Sequence, residues 1–438
     1  MVTKIRNRLD IHTFEVLLKS SKTMIVKVVG MSSALLISVF LGRTLGPEGL
    51  GVVNLANQLG MVCLVLTMFG FQFVIVKFIS IAKSQENYQN ILNTINSALF
   101  VNTTFAIIIA VLGWLLNPFL IKYLFQGRVE LTVPILLTFF MLIPQTVARV
   151  FSAALNGYGK VWQSNLVEQT LSSILVLVGL AIYWVFSVEF SSISVLILYL
   201  VSRLIMVVVV KLLWHQQIRG KVSALKGSLN LRPMFKMGLP MLMVSGTSVI
   251  ASNLDTMMLA SLGTMEDVGL YNVAARLAFL TSFLLQVTNT AISPKLASMF
   301  HESKLDQMSK MVRKITLGLV VIALMVFLSF VLIGGWMLSF WGENFVEAQV
   351  ILIILAVGQF FNIATGCSGL LLVMCGYEKE HGYISVLSLI MNVILNVLLI
   401  KSYGVIGVAV ATAITVSLSN IFKVVMVKRK ISISILPF

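Results

Sequence analysis

Residues 315–338 read ITLGLVVIALMVFLSFVLIGGWML, a stretch without a single charged side chain. A spanning helix needs roughly 20 apolar residues to cross a hydrocarbon core about 30 Å thick. A helix also satisfies its own backbone hydrogen bonds there, which an irregular segment cannot do. Outward from this stretch, comparable segments recur at 24–42, 51–74, 92–116, 131–154, 166–187, 192–214, 238–262, 269–293, 346–374, 382–400 and 404–427. The expectation is an all-α integral membrane protein with about twelve transmembrane helices.

Composition agrees. The 438 residues are 58% hydrophobic and only 11% charged, where a soluble domain averages roughly 45–50% apolar and about 25% charged. Too little charge remains to solvate a globule, which excludes soluble enzymes and nucleic-acid binders. The net charge of +16 then reads as topology, because excess Lys and Arg collects in cytoplasmic loops. Cys63, Cys367 and Cys375 lie in apolar stretches and offer neither a disulfide framework nor a metal-ligand spacing. No metal or organic cofactor is expected.

The connections are short. The longest, 215–237 and 294–314, leave no room for an ATPase, and no phosphate-loop motif occurs. One set of connections carries most of the basic residues, among them Lys19, Lys22, Lys83, Arg219, Lys236, Lys304, Lys314, Lys428 and Arg429. The opposite set holds only Arg43, Lys122, Arg128 and Lys401. Both termini are therefore expected in the cytoplasm. The expected organisation is a cytoplasmic N-terminal segment at 1–23, a six-helix lobe at 24–214 and a cytoplasmic linker at 215–237. A second six-helix lobe at 238–427 and a cytoplasmic tail at 428–438 complete it. Phe14, Leu17, Leu18 and Ser21 share one helical face, so 9–22 reads either as an interfacial helix or as an ordinary tail.

Two internal matches support the paired lobes. Residues 50–59, LGVVNLANQL, resemble 268–277, VGLYNVAARL, so that Gly51, Asn54, Ala56 and Leu59 recur as Gly269, Asn272, Ala274 and Leu277. Asn156-Gly157-Tyr158-Gly159-Lys160 resembles Cys375-Gly376-Tyr377-Glu378-Lys379. Six spans separate the members of each pair, which predicts pseudo-twofold symmetry about the membrane normal with a central cavity.

The segments LGRTLGPEGLG at 41–51 and NLDTMMLASLGTMEDVGLYNVAARL at 253–277 resemble the multidrug/oligosaccharidyl-lipid/polysaccharide (MOP) exporter superfamily. The resemblance is greatest to its polysaccharide-transport branch, the O-antigen flippases of the Wzx type. It implies alternating-access transport of an undecaprenyl-diphosphate-linked oligosaccharide across the bacterial inner membrane. It also implies membrane lipids, and a polysaccharide polymerase and chain-length regulator, as partners, and no nucleic acid. The chain is too short for fourteen spans, and its first span carries Lys27 where many proton-coupled drug exporters have an acid.

Ionisable groups inside spans need partners or water. Arg149 and Glu168 lie symmetrically about residue 158.5, and Asp255 and Arg276 about residue 265.5, so each pair should share a depth. A salt bridge is one reading for each. Arg203 lies about 17 Å into the sixth span at 1.5 Å per residue, near the midplane, with no acid on its helix. Its planar donors suit a diphosphate, unless a carboxylate such as Asp255 neutralises it. Lys27 reads either as cavity-lining or as snorkelling to the interface. Asn54, Asn57, Gln58 and Asn272 are candidate sugar contacts, or hydrogen bonds between helices. The expected substrate-binding set is thus Arg203, Arg276, Arg149, Lys27, Asn54, Asn57, Gln58 and Asn272, with Asp255 coupling to H⁺ or Na⁺.

A cation-coupled drug exporter of the same fold is the alternative. The intramembrane charges, basic at Lys27, Arg149, Arg203 and Arg276 against acidic Asp255 and Glu168, favour an anionic cargo. An enzyme is not expected, because the external connections are short and no nucleophile–base constellation appears.

Overall fold

The computed structural model describes residues 11–187, 189–219 and 227–435, and among them every regular element is helical. Helix α1 (Ile11–Met68) carries the first two expected spans, which meet at a break at Gly46 with φ 67° and ψ −173°. Glycine alone adopts that backbone readily, and Pro47 after it suits the first turn of the resuming helix. The expected 1–23 segment lies partly outside the described residues; helix runs without a break from Ile11 into the first span.

The second span ends earlier than its hydropathy suggests. Phe69 and Gly70 take φ of 47° and 71° and separate α1 from α2 (Phe71–Ser84). Close packing accounts for the break. A Cβ on Gly70 would lie 2.4 Å from the Gly238 carbonyl oxygen, and one on Gly238 would lie 2.8 Å from the Phe69 oxygen. Next come α3 (Tyr88–Phe119) and α4 (Thr132–Gly157). The fifth span begins before its expected start, as α5 (Val161–Asn165), a π-helical turn at Leu166–Thr170 and α6 (Leu171–Val185). Helices α7 (Ser192–Ile218) and α8 (Arg232–Leu262) follow.

Helix α9 (Met265–Leu280) starts on a Thr264 cap and passes through a kink at Thr281 into α10 (Ser282–His301). The opening stretch lies in α11 (Leu305–Leu338). Its Leu332 is 78% and its Trp336 63% exposed, apolar surface that lipid rather than water must cover. The expected tenth span, 346–374, is also divided. Helix α12 (Gln349–Ala364) stops before Gly366 (φ 61°), and the short α13 (Ser368–Met374) follows. A Cβ on Gly366 would sit 2.3 Å from the Thr316 hydroxyl. Helix α14 (Glu378–Ile431) carries the last two spans, broken at Gly404 (φ 55°, ψ −135°).

Contacts divide the chain into two compact units, Met1–Leu45 with Ala56–Asn253, and Gly46–Leu55 with Leu254–Phe438. In the second unit the first repeat motif packs on its own copy. A Cβ on Gly51 would lie 2.0 Å from the Met265 oxygen, and one on Gly269 would lie 1.9 Å from the Pro47 oxygen. The contact is reciprocal, as a local twofold requires.

The second repeat match needs a shift of register. Gly159 (φ 86°) and Gly376 (φ 84°) close equivalent turns, with the following amides of Lys160 and Tyr377 bonding back to Leu155 and Leu372. Gly376 therefore corresponds to Gly159 rather than to Gly157, because the left-handed backbone is what recurs. After α14 the chain turns at Ser432 (φ 61°) and buries Ile433 and Ile435 against Met308, Val312 and Leu371.

Candidate functional site

In the first unit, Arg149 on α4 forms an ion pair with Glu168, as their shared depth suggested. The π-helical turn at Leu166–Thr170 is what carries Glu168. An extra residue in a helical turn bulges the backbone and re-aims its side chains, and such turns recur at functional sites. The turn is tied down on two sides. Thr170 donates to the Val26 carbonyl of α1 at 2.8 Å, and the Ser152 and Ser164 hydroxyls lie 2.9 Å apart, joining α4 to α5. Lys27, next to Val26, is exposed on α1.

Arg203 on α7 is half-buried and lies within electrostatic range of Arg149 and Tyr199. No carboxylate pairs with it among the described residues, and its Nε is buried without a hydrogen-bond partner. The Nε of Arg149 is likewise unpartnered. Two guanidiniums thus lie in electrostatic range of each other, and among the described residues only one of them, Arg149, is paired with a carboxylate. Unmet N–H donors beside excess positive charge are the chemistry by which proteins bind oxyanions.

The second unit holds a different arrangement. Asp255 on α8 does not pair with Arg276. Its Oδ2 accepts from the Tyr271 hydroxyl and from the Thr412 hydroxyl, each at 2.7 Å, and its Oδ1 accepts from Asn396 Nδ2 at 2.8 Å. The salt-bridge reading of this pair is not the one the structure takes, because the turn is not where the symmetry placed it. Helix α8 ends at Leu262 and α9 begins at Met265. The turn centre is therefore nearer the chain start than residue 265.5, and Tyr271, not Arg276, reaches the depth of Asp255.

Asn396 also donates to Asn392 Oδ1 at 3.1 Å, and its own Oδ1 is buried without a partner. The Asp255 carboxylate is thus ringed by neutral groups, the Tyr271 and Thr412 hydroxyls and the Asn396 amide, with Asn392 behind that amide. Such a set suits a proton or a small hard cation. Sequence reasoning named only Asp255 here. The missed signal was the spacing of Asn392 and Asn396, four apart on one face of an otherwise apolar helix.

The remaining candidates are spread over both units. Asn57 and Gln58 are half-buried on α1 in the first. In the second, Asn54 is half-buried with Nδ2 lacking a partner, while Asn272 donates to the Val268 carbonyl and accepts from Thr256. Arg276 is half-buried on α9. A further polar network went unforeseen: Ser282 donates to Gln359 at 2.5 Å, and Asn420 donates to Asn362 at 3.2 Å.

Comparison with known proteins places these features. The family described as "Polysaccharide biosynthesis protein" matches residues 16–300. A protein of Haloferax volcanii described as a "Probable low-salt glycan biosynthesis flippase" is 24% identical over 198 residues. That match spans 43% of this chain and 42% of the relative, less than half of its length. Among solved structures, an inward-facing multidrug resistance MATE family transporter of the MOP superfamily superposes with a TM-score of 0.76 at 15% identity. The superposition covers 95% of this chain and 98% of that one. The lipid II flippase MurJ, in an inward closed conformation, gives 0.70 at 15% identity, over 94% and 87% of the respective chains. At such identity the likeness establishes the shared fold.

Proposed function

The chain belongs to the polysaccharide biosynthesis protein family, and from that premise we propose that it is a flippase for a lipid-linked glycan. The observation that carries this reading is the pair Arg149–Arg203, two guanidiniums in electrostatic range of each other, one of them paired with Glu168, and an unmet Nε donor on both. A drug cation would be repelled there; a diphosphate would satisfy the donors. The cargo in this reading is an undecaprenyl-diphosphate-linked oligosaccharide that leaves the cytoplasmic leaflet by alternating access of the two lobes. Arg203 and Arg149 hold the diphosphate. Lys27, Arg276, Asn54, Asn57, Gln58 and Asn272 are assigned to the anionic and sugar parts of the cargo.

Asp255 is the coupling group. Its partners are neutral, so a proton or a sodium ion can exchange at the carboxylate without breaking an ion pair, and rotation of the Asn396 amide would turn its unpartnered oxygen toward a bound cation. Transport would then draw on whichever gradient loads this site.

The test is to extract lipid-linked oligosaccharides from cells lacking the protein and to determine which membrane face holds them. Accumulation on the cytoplasmic face, with surface polysaccharide lost and restored by the wild-type chain, is the expected result. Unchanged polysaccharide together with raised sensitivity to cationic drugs would overturn the reading.

A further inference from the structure

A second concentration of unmet donors lies in the second unit, on elements that the Arg149–Arg203 pair does not touch. Gly369 on α13 faces both limbs of α14. A Cβ there would come within 3.1 Å of His381 Cε1, 3.5 Å of His381 Nδ1 and 3.7 Å of Lys423 Cδ. Two basic side chains from the two limbs therefore converge over a position that has no side chain of its own.

His381 Nδ1 is buried without a hydrogen-bond partner, and so is the hydroxyl of Ser368, the residue before Gly369. Lys423 is half-buried and has neither a carboxylate nor an acceptor among the described residues. The nearest acid in sequence, Glu380, is engaged by Lys430 at 3.1 Å. Buried polar groups are nearly always hydrogen-bonded, and a half-buried ammonium needs a counter-charge. Lysine, serine and a neutral histidine that carries its proton on Nδ1 offer N–H and O–H donors, so an anion is the ligand that would meet all three.

We propose that His381 and Lys423, meeting over Gly369, form an oxyanion site that binds a phosphoryl group. A phosphoryl oxygen can accept from both side chains at once, and the absence of a side chain at Gly369 is what lets the His381 ring and the Lys423 stem approach the same backbone position. Phosphoryl groups are the anions a chain at a bilayer surface meets, either on a phospholipid headgroup or free in solution. The site does not rest on the flippase reading, since its residues are independent of Arg149 and Arg203.

The experiment uses the full chain in phosphatidylcholine nanodiscs, observing the imidazole resonances of its histidines by NMR and assigning that of His381 with His381→Gln. One arm replaces a fifth of the lipid with phosphatidylglycerol; the other adds inorganic diphosphate. The expected result is that the His381 resonance shifts in one arm. Lys423→Met should weaken that ligand about tenfold or more, as loss of a charge-assisted hydrogen bond implies, while Lys423→Arg retains most of the affinity. A shift with phosphatidylglycerol alone identifies a lipid headgroup, and a shift with diphosphate alone identifies a soluble phosphate. A resonance that moves in neither arm, or an affinity unchanged in a Lys423→Met protein with the wild-type melting temperature, would overturn the proposal.

Discussion

The two units treat an intramembrane carboxylate in opposite ways. Glu168 is held by a guanidinium, Arg149, with Arg203 in electrostatic range. Asp255 is held by two hydroxyls and an amide, with no cation bonded to it among the described residues. An acid fixed in an ion pair keeps its charge, because losing it would strand the arginine. An acid solvated by neutral dipoles can change its charge state while its neighbours reorient. The first arrangement suits a permanent receptor for an anion and the second suits a group that cycles, so in the proposed function one chain would separate holding cargo from coupling.

The largest effect that could break this contrast is on transport. Arg203→Ala should lower the rate of lipid-linked oligosaccharide flipping in proteoliposomes about a hundredfold, with normal membrane insertion, and Arg203→Lys should retain part of it. Full activity in the alanine variant would reduce Arg203 to packing. Next comes stability. Glu168→Gln removes the charge that Arg149 needs and should cost about 1–3 kcal/mol, less than a fully buried pair because both side chains are more than a quarter exposed. Thermal unfolding in detergent measures it.

The same chemical change at the other acid sharpens the comparison. Asp255→Asn should alter stability by less than about 1 kcal/mol, since hydroxyls that donate can also accept. It should nevertheless abolish the dependence of transport on an imposed sodium or proton gradient. Gradient dependence identical to wild type would remove Asp255 from coupling. The smallest effect is expected for Tyr271→Phe, which removes one donor from Oδ2 while Thr412 keeps donating. A cost of about 1 kcal/mol, with coupling retained, is expected from the melting temperature and the same transport assay.

The depth reasoning that found Arg149–Glu168 failed for Asp255–Arg276, and the cause is specific. Counting residues from a turn sets how deep a side chain lies, but only if the turn is placed correctly. It says nothing of the direction in which the side chain leaves the helix. Glu168 met Arg149 because the π-helical turn supplied that direction. Asp255 met Asn396 and Thr412, both far along the chain on α14, and no local pattern announces such a contact. The repeat at Gly51 and Gly269 was legible as a match of letters, yet only packing revealed that the two copies touch.

Sequence by itself determined the all-α membrane class, the approximate place of each span and the excess of basic groups within them. These follow from hydrophobicity and charge, which act residue by residue against the bilayer. Tertiary structure alone decided where helices break, at Gly70 and Gly366, because those breaks answer to backbone atoms of distant segments or to a facing hydroxyl. It also decided which polar group each buried charge meets. Partner choice depends on the rotation of one helix against another, and that rotation is set by the packing of the whole unit rather than by any local run of residues.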